Sequence, residues 1–375
     1  MRHNLAESLP VVRQQLKLDA ARPFGIGLRL SGQAAETLEQ PHHLQALLDT
    51  LARGNYYVFT INGFPYGAFH RQRVKEAVYL PDWRDAARVE YSNRLARILA
   101  AVLPEGLDGS ISTVPGAFRT EIRSSDDVLS IVRHLVEHVA VLKAIADRTG
   151  RVITLALEPE PRCYLETIAD TLAFFQEYAF DEAVLSRVAP GSGVTADDVR
   201  RHVGVCFDAC HMAVEFEHPK AAVAALMSAG IRICKVQLSS ALQLRFRAGD
   251  GQASEKLGPF ADDVYLHQVV ERGDSGLTRY TDLPEALATE AASGRGDTEW
   301  RVHFHVPIFL DRMRGFDTTQ AYLEELLSVL RDSVVCPYLE VETYTWDVLP
   351  PEYRSVDICT AIARELTWVI ERLER

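Results

Sequence analysis

The sequence predicts a single (β/α)8 barrel, on three observations. Eight short strand-like runs alternate with amphipathic helical stretches along 375 residues, the pattern of a parallel sheet wrapped by helices. In five of those runs one side-chain face is apolar throughout. The opposite face turns polar toward the C-terminal end of each run, the end at which barrel sites are built.

The strands are expected at Phe24 to Leu30, Tyr56 to Asn62, Ser110 to Val114, Val152 to Glu158, Val203 to Asp208, Ile231 to Leu238, Arg301 to Val306 and Tyr338 to Thr343. Helical periodicity fills Leu38 to Arg53, Arg84 to Leu103, Asp126 to Arg148, Ile168 to Tyr178, Pro219 to Ser228 and Thr318 to Arg331, and Glu352 to Arg375 closes the chain. The barrel should therefore span residues 1–375. Arg245 to Trp300 is too long for a simple connection and reads as an insertion between the sixth and seventh strands, with a helix around Ala261 to Arg272 and a glycine-rich, mobile piece at Ser293 to Asp297.

Composition narrows the function. With 40 Lys+Arg against 52 Asp+Glu the net charge is −12, which disfavours a nucleic-acid partner gripped through phosphates. The six cysteines are scattered without a C-x-x-C pair, so neither a disulfide framework nor a zinc ribbon is indicated. Charges interrupt the N-terminal stretch and every long apolar run, so neither a signal-peptide core nor a membrane span is expected, and the expected location is the cytoplasm.

Ionisable groups inside a barrel are costly unless paired or metal-bound. On the polar strand faces Glu158 ends its strand in L-A-L-E-P-E-P, and Asp208 and His211 form D-A-C-H. Lys235 and Gln237 share one face, His305 lies in H-F-H-V-P, and Glu342 in E-V-E-T-Y. Glu158, Asp208, His211, His305 and Glu342 supply oxygen and nitrogen ligands suited to one divalent ion (Mn, Mg, Co, Fe or Zn). Glu160 and Glu340 share their parity and are open to the same role, or to pairing with Arg29 or Lys235. His303, a layer deeper, reads as an orienting group, and Cys206 and Cys210 as buried fillers. The loop N-G-F-P-Y-G-A-F-H offers Asn62, Phe64 and His70 at the mouth; His70 is open to completing the metal site or contacting substrate, or the loop packs on its own rim.

In strand order these residues resemble the xylose-isomerase-like TIM-barrel superfamily of sugar isomerases, epimerases and endonuclease IV. N-G-F-P-Y-G-A-F-H, V-K-E-A-V-Y-L-P-D-W, S-I-S-T-V-P-G and L-E-P-E-P-R-C-Y-L-E-T resemble a narrower branch, the EboE-type metabolite traffic proteins, which implies other Ebo-cluster proteins as partners. The resemblance implies a metal held by Glu158, Asp208 with His211, and Glu342; it departs at Gln237, where a histidine is expected. It also implies a sugar-like or polyol metabolite as substrate, with Glu158 and Glu342 moving a proton and Lys235 or Arg29 stabilising the developing charge. The alternatives are metabolite binding without turnover and, opposed by the acidic charge, abasic-site cleavage.

Overall fold

The computed structural model describes residues 3–19, 21–67, 75–246, 257–261, 265–293, 297–313, 315–333, 335–342, 349 and 356–374. Six strands come first: β1 (Phe24–Arg29), β2 (Tyr56–Asn62), β3 (Gly109–Thr113), β4 (Ile153–Leu157), β5 (Val203–Asp208) and β6 (Arg232–Leu238). The chain then runs through β7 (Leu242–Phe246), β8 (Val269–Gly273), β9 (Gly276–Tyr280), β10 (Thr298–Val302), β11 (Arg312–Met313) and β12 (Phe316–Thr318) before returning as β13 (Leu339–Val341). Strands β1 to β6 and β13 pair in parallel, in that order, as a seven-stranded sheet. With helices flanking it, this sheet is a nearly closed barrel of the (β/α)8 type.

The expected alternation is visible in burial. Every residue of β3, β4 and β5 is buried, as a parallel sheet covered on both faces requires. Val203, Val205 and Phe207 join the helix-facing core. Inward-facing polar residues satisfy one another across strands: the hydroxyls of Thr60 and Ser110 lie 2.8 Å apart, and Thr154 Oγ1 donates to the Gly109 carbonyl at 3.1 Å. The longest outer helix, Ser125–Thr149, starts at a reciprocal cap between Ser124 and Asp127 and stops at Gly150, whose φ of 71° favours glycine. Its face of Val128, Ile131, Leu135, Val139 and Leu142 lies in the core.

Three expectations inside the 242–318 stretch need correction. The seventh expected strand, Arg301 to Val306, does not sit between β6 and the last strand. β10 pairs antiparallel with both β7 and β8, so both of its hydrogen-bonding edges are taken, and β13 pairs directly with β6. The second sheet has the order β11-β12-β7-β10-β8-β9; it takes in the described strands of the stretch read as an insertion, Arg245 to Trp300, and its strands run from Leu242 to Thr318. The helix expected around Ala261 to Arg272 is absent among the described residues: a short 3-10 turn, Gly258–Phe260, precedes β8, and the β8–β9 hairpin uses the Val-Val pair as strand. Within the expected mobile piece, residues 294–296 lie outside the described residues.

β13 and the residue before it meet β2 and β1 through side chains. The Phe59 and Tyr338 rings stack at 5.6 Å. Gly27 makes room for Glu340, since a Cβ there would stand 1.8 Å from Glu340 Oε1.

Candidate functional site

At the C-terminal ends of the parallel strands, Glu158 follows β4, Asp208 ends β5, Gln237 sits near the end of β6 and Glu342 follows β13. Glu158, Asp208 and Glu342 place carboxylate oxygens within 4.8 Å of one another. The local sequence explains how Asp208 is held. It caps the helix Ala209–Val214, accepting from the His211 amide at 3.0 Å, and its Oδ1 also accepts from Ser239 Oγ at 2.8 Å. The D-A-C-H spacing thus puts His211 on the first turn, beside its own cap.

Gln237, standing where the resemblance expects a histidine, bridges the carboxylates. Its Nε2 donates to Glu342 Oε2 and, at 3.4 Å, to Asp208 Oδ2, while its Oε1 accepts from the Cys206 thiol at 2.9 Å. Cys206 is therefore a buried orienting donor. Glu158 Oε2 is buried with no hydrogen-bond partner among the described residues.

Burial, then the neighbouring charges of Glu342 and Asp208, push the Glu158 carboxyl well above its ordinary range. Burial and Asp208 do the same to Glu342. Burial also opposes ionisation of Asp208, but His211 and His305, with the His211 amide and Ser239, hold its carboxyl below the usual value. Three carboxyl groups this close in a buried site oppose each other's ionisation, and a cation removes that conflict.

An imidazole cluster adjoins the trio. Asp208, His211 and His305 form a second convergent group, and Glu160, His211 and His303 a third. His303 and His305 arrive from the irregular segment after β10, held by the bonds His303 N to Gln268 O (2.8 Å) and Val306 N to Ser240 O (2.9 Å). The second sheet therefore contributes to the mouth even though its strands are not part of the barrel. His305 lies 3.8 Å from Glu342, and burial lowers its imidazole to about 4.

All five residues expected as ligands, Glu158, Asp208, His211, His305 and Glu342, thus meet at one rim. Lys235 is fully buried and donates to Glu340 Oε2 at 2.6 Å; burial acts against its charge, but Glu340 and Glu158 raise its pKa overall. Arg29 stands exposed at the end of β1, within electrostatic reach of Glu342. Asn62, opposite it in register, accepts from Ser112 Oγ at 3.2 Å. Phe64 stacks on Tyr79, and Tyr66 meets Tyr91 edge-on, so the described part of this loop packs on its own barrel. His70 lies outside the described residues. Sequence reasoning missed Tyr79, whose hydroxyl donates to Glu160 Oε1 at 2.6 Å, and Gln268. Tyr79 lay inside the V-K-E-A-V-Y-L-P-D-W string, whereas no pattern marked Gln268.

No family model and no curated protein matches the chain. Among solved structures it is similar to a probable 3-DHS dehydratase from Bacillus anthracis (14% identity, 98% of this chain and 95% of that one, TM-score 0.47). It is also similar to a 3-keto-D-glucoside 4-epimerase from E. coli (16%, 98% and 95%, 0.46) and to a xylose isomerase-like TIM barrel protein from Mycobacterium smegmatis in complex with magnesium (11%, 98% and 89%, 0.48). At this distance the likeness adds nothing to the strand order already described, and nothing in it bears on the EboE-type branch.

Proposed function

We propose that the protein is a divalent-metal-dependent isomerase or epimerase of a small sugar-like or polyol metabolite. The observation that carries this reading is the convergence of Glu158, Asp208 and Glu342 in a buried site where Glu158 Oε2 has no hydrogen-bond partner among the described residues. That donor set fits a hard or borderline cation held by the three carboxylates, with His305 beside them. When bound, the ion supplies Lewis-acid polarisation of a carbonyl or neighbouring hydroxyl oxygen.

The chain's own groups do the rest. Glu158 removes the proton from the carbon next to the carbonyl, and Glu342 returns one, each through a carboxylate oxygen that the ion would leave available. Gln237 fixes the orientation of Asp208 and Glu342. Lys235, committed to Glu340, acts on Glu158 through its field alone, which leaves Arg29 at the mouth to receive negative charge developing on the substrate oxygen. A metabolite carrier without turnover would use the aromatic loop and Trp83, but Phe64 and Tyr66 pack on Tyr79 and Tyr91, and the buried Trp83 donates to Thr113.

Incubation with a panel of ketoses and aldoses in deuterium oxide with Mn2+ or Mg2+ tests the proposal. Solvent deuterium should enter at the carbon beside the carbonyl. Glu158→Gln should cut that exchange by on the order of a thousandfold, the range of general-base catalysis. Unchanged exchange in the variant, or a wild-type protein that binds no divalent ion, refutes it.

A further inference from the structure

The sixth barrel strand stands between the fifth and the last, and Gln237 is in register with Asp208 on one side and Glu340 on the other. Glu342, two residues beyond Glu340, donates its amide to the Leu238 carbonyl, so Gln237 lies between two of the three carboxylates. Cys206 precedes Asp208 by two residues, which puts both side chains on the inner face of β5. Cys206, Asp208 and Gln237 are fully buried, and Cys206 clusters with Ala156 and Cys234.

These neighbours fix which way the amide faces. Ionised carboxylates only accept, so the Nε2 hydrogens face Glu342 Oε2 and Asp208 Oδ2, and Oε1 is left to the Cys206 thiol at 2.9 Å. Turned over, the amide would set its oxygen against two carboxylate oxygens and spend its N–H groups on sulfur, a weak acceptor. The oxygen is the one atom of a glutamine side chain with lone pairs for a cation, and here the thiol occupies it. Gln237 therefore presents N–H groups to the carboxylates and is not itself a ligand. Its two hydrogens hold one oxygen of Asp208 and one of Glu342, while Glu158 Oε2 keeps no partner among the described residues.

We infer that Cys206 is a positioning residue for the carboxylate trio and sets its cation affinity through the Gln237 amide. The consequence for affinity rests on the cation reading of the trio; the contact between thiol and amide does not. Without the thiol hydrogen, Gln237 Oε1 is a buried acceptor with its donor removed, and the orientation that serves Asp208 and Glu342 loses its anchor. Serine keeps a donor at this position and alanine does not. Contacts that orient metal-binding carboxylates from behind change metal affinity by about ten- to a hundredfold when removed.

Manganese binding to the metal-stripped protein, followed by loss of the free-ion EPR signal, reads this effect without turnover. Cys206→Ala and the near-isosteric Gln237→Met should each weaken binding by about tenfold or more, with thermal midpoints showing that both fold. Cys206→Ser should recover most of the loss. Because the thiol acts through the amide, Cys206→Ala should cost nothing further in the Gln237→Met background. The contact itself is read with no metal present. The Raman S–H band that disappears in Cys206→Ser should be that of a strongly hydrogen-bonded thiol, and it should move to higher frequency in Gln237→Met. Unchanged binding in Cys206→Ala, no recovery in Cys206→Ser, additive losses in the double variant, or a thiol band indifferent to Gln237→Met overturns the inference. A wild-type protein that takes up no Mn2+ refutes the cation reading of the trio instead, and the thiol band then decides alone whether Cys206 holds Gln237.

Discussion

Lys235 shows how one side chain commits the barrel interior. Its ammonium is fully buried and rests on Glu340, while Gly27 leaves the space that Glu340 occupies. Removing one member of such a pair strands a buried charge, a loss on the order of 3–5 kcal/mol. Glu340→Gln should therefore lower the urea stability by about 3 kcal/mol without changing the denaturant slope; an unchanged midpoint would mean that Lys235 finds another partner. The same scale explains what the sequence revealed of the site. Asp208, Glu158 and Glu342 were legible because a polar residue at the end of a strand with one apolar face is conspicuous, and His211 because it follows Asp208 in D-A-C-H. Gln268 was not, because an amide in an irregular segment leaves no periodic trace; its role arises only from what the chain folds against it.

At the scale of elements, one contact ties the second sheet to the barrel and another ties the last helix to the segment after β10. Arg279 on β9 reaches Glu215 at 2.7 Å and Glu166 at 3.7 Å, both in segments that follow barrel strands. The Glu215 side chain has no exposure, and burial lifts its carboxyl to about 7 even with Arg279 present. Arg279→Ala should loosen the hairpin, and a loss of about 3 kcal/mol corresponds to amide exchange in residues 269–280 faster by on the order of a hundredfold. Exchange at the wild-type rate would show that the apolar contacts of the sheet suffice. The helix Ile358–Leu373 carries buried Glu365, which accepts from the Ile308 amide at 3.1 Å and whose carboxyl burial raises to about 8. Because the folded value lies above the unfolded one of about 4.3, its contribution is complete below that value and is lost as the pH climbs toward 8. Glu365→Gln keeps the accepting oxygen and cannot ionise. Its urea stability should pull ahead of wild type between pH 5 and pH 8, by about 3.5 kcal/mol at the upper end; parallel curves would place the carboxyl in contact with water. The elements themselves were read well from periodicity wherever the helices were long and amphipathic, as at Ser125–Thr149 and Pro219–Ser228. The misreading came at residues 242–318, where strands pair with near neighbours in antiparallel fashion. Alternation of side chains identifies a strand but carries no information about which sheet receives it, and Arg301 to Val306 has the same pattern in either.

For the whole molecule, the parallel sheet and the second sheet form one rim between them. The barrel supplies the carboxylates of Glu158, Asp208 and Glu342 from three separate strand ends, and the segment leaving the second sheet supplies His303 and His305. No helix among the described residues is long and apolar enough to cross a membrane. The acidic overall charge does not oppose cation binding at this rim; it adds to the local field of the carboxylates. Convergence of these groups is thus a product of topology, which the sequence predicts only through the barrel it implies. The most direct test is anomalous scattering from crystals grown with Mn2+. A peak between the carboxylate oxygens of Glu158, Asp208 and Glu342 is the expected result, and a rim without one, its carboxylates turned toward solvent, would contradict the account.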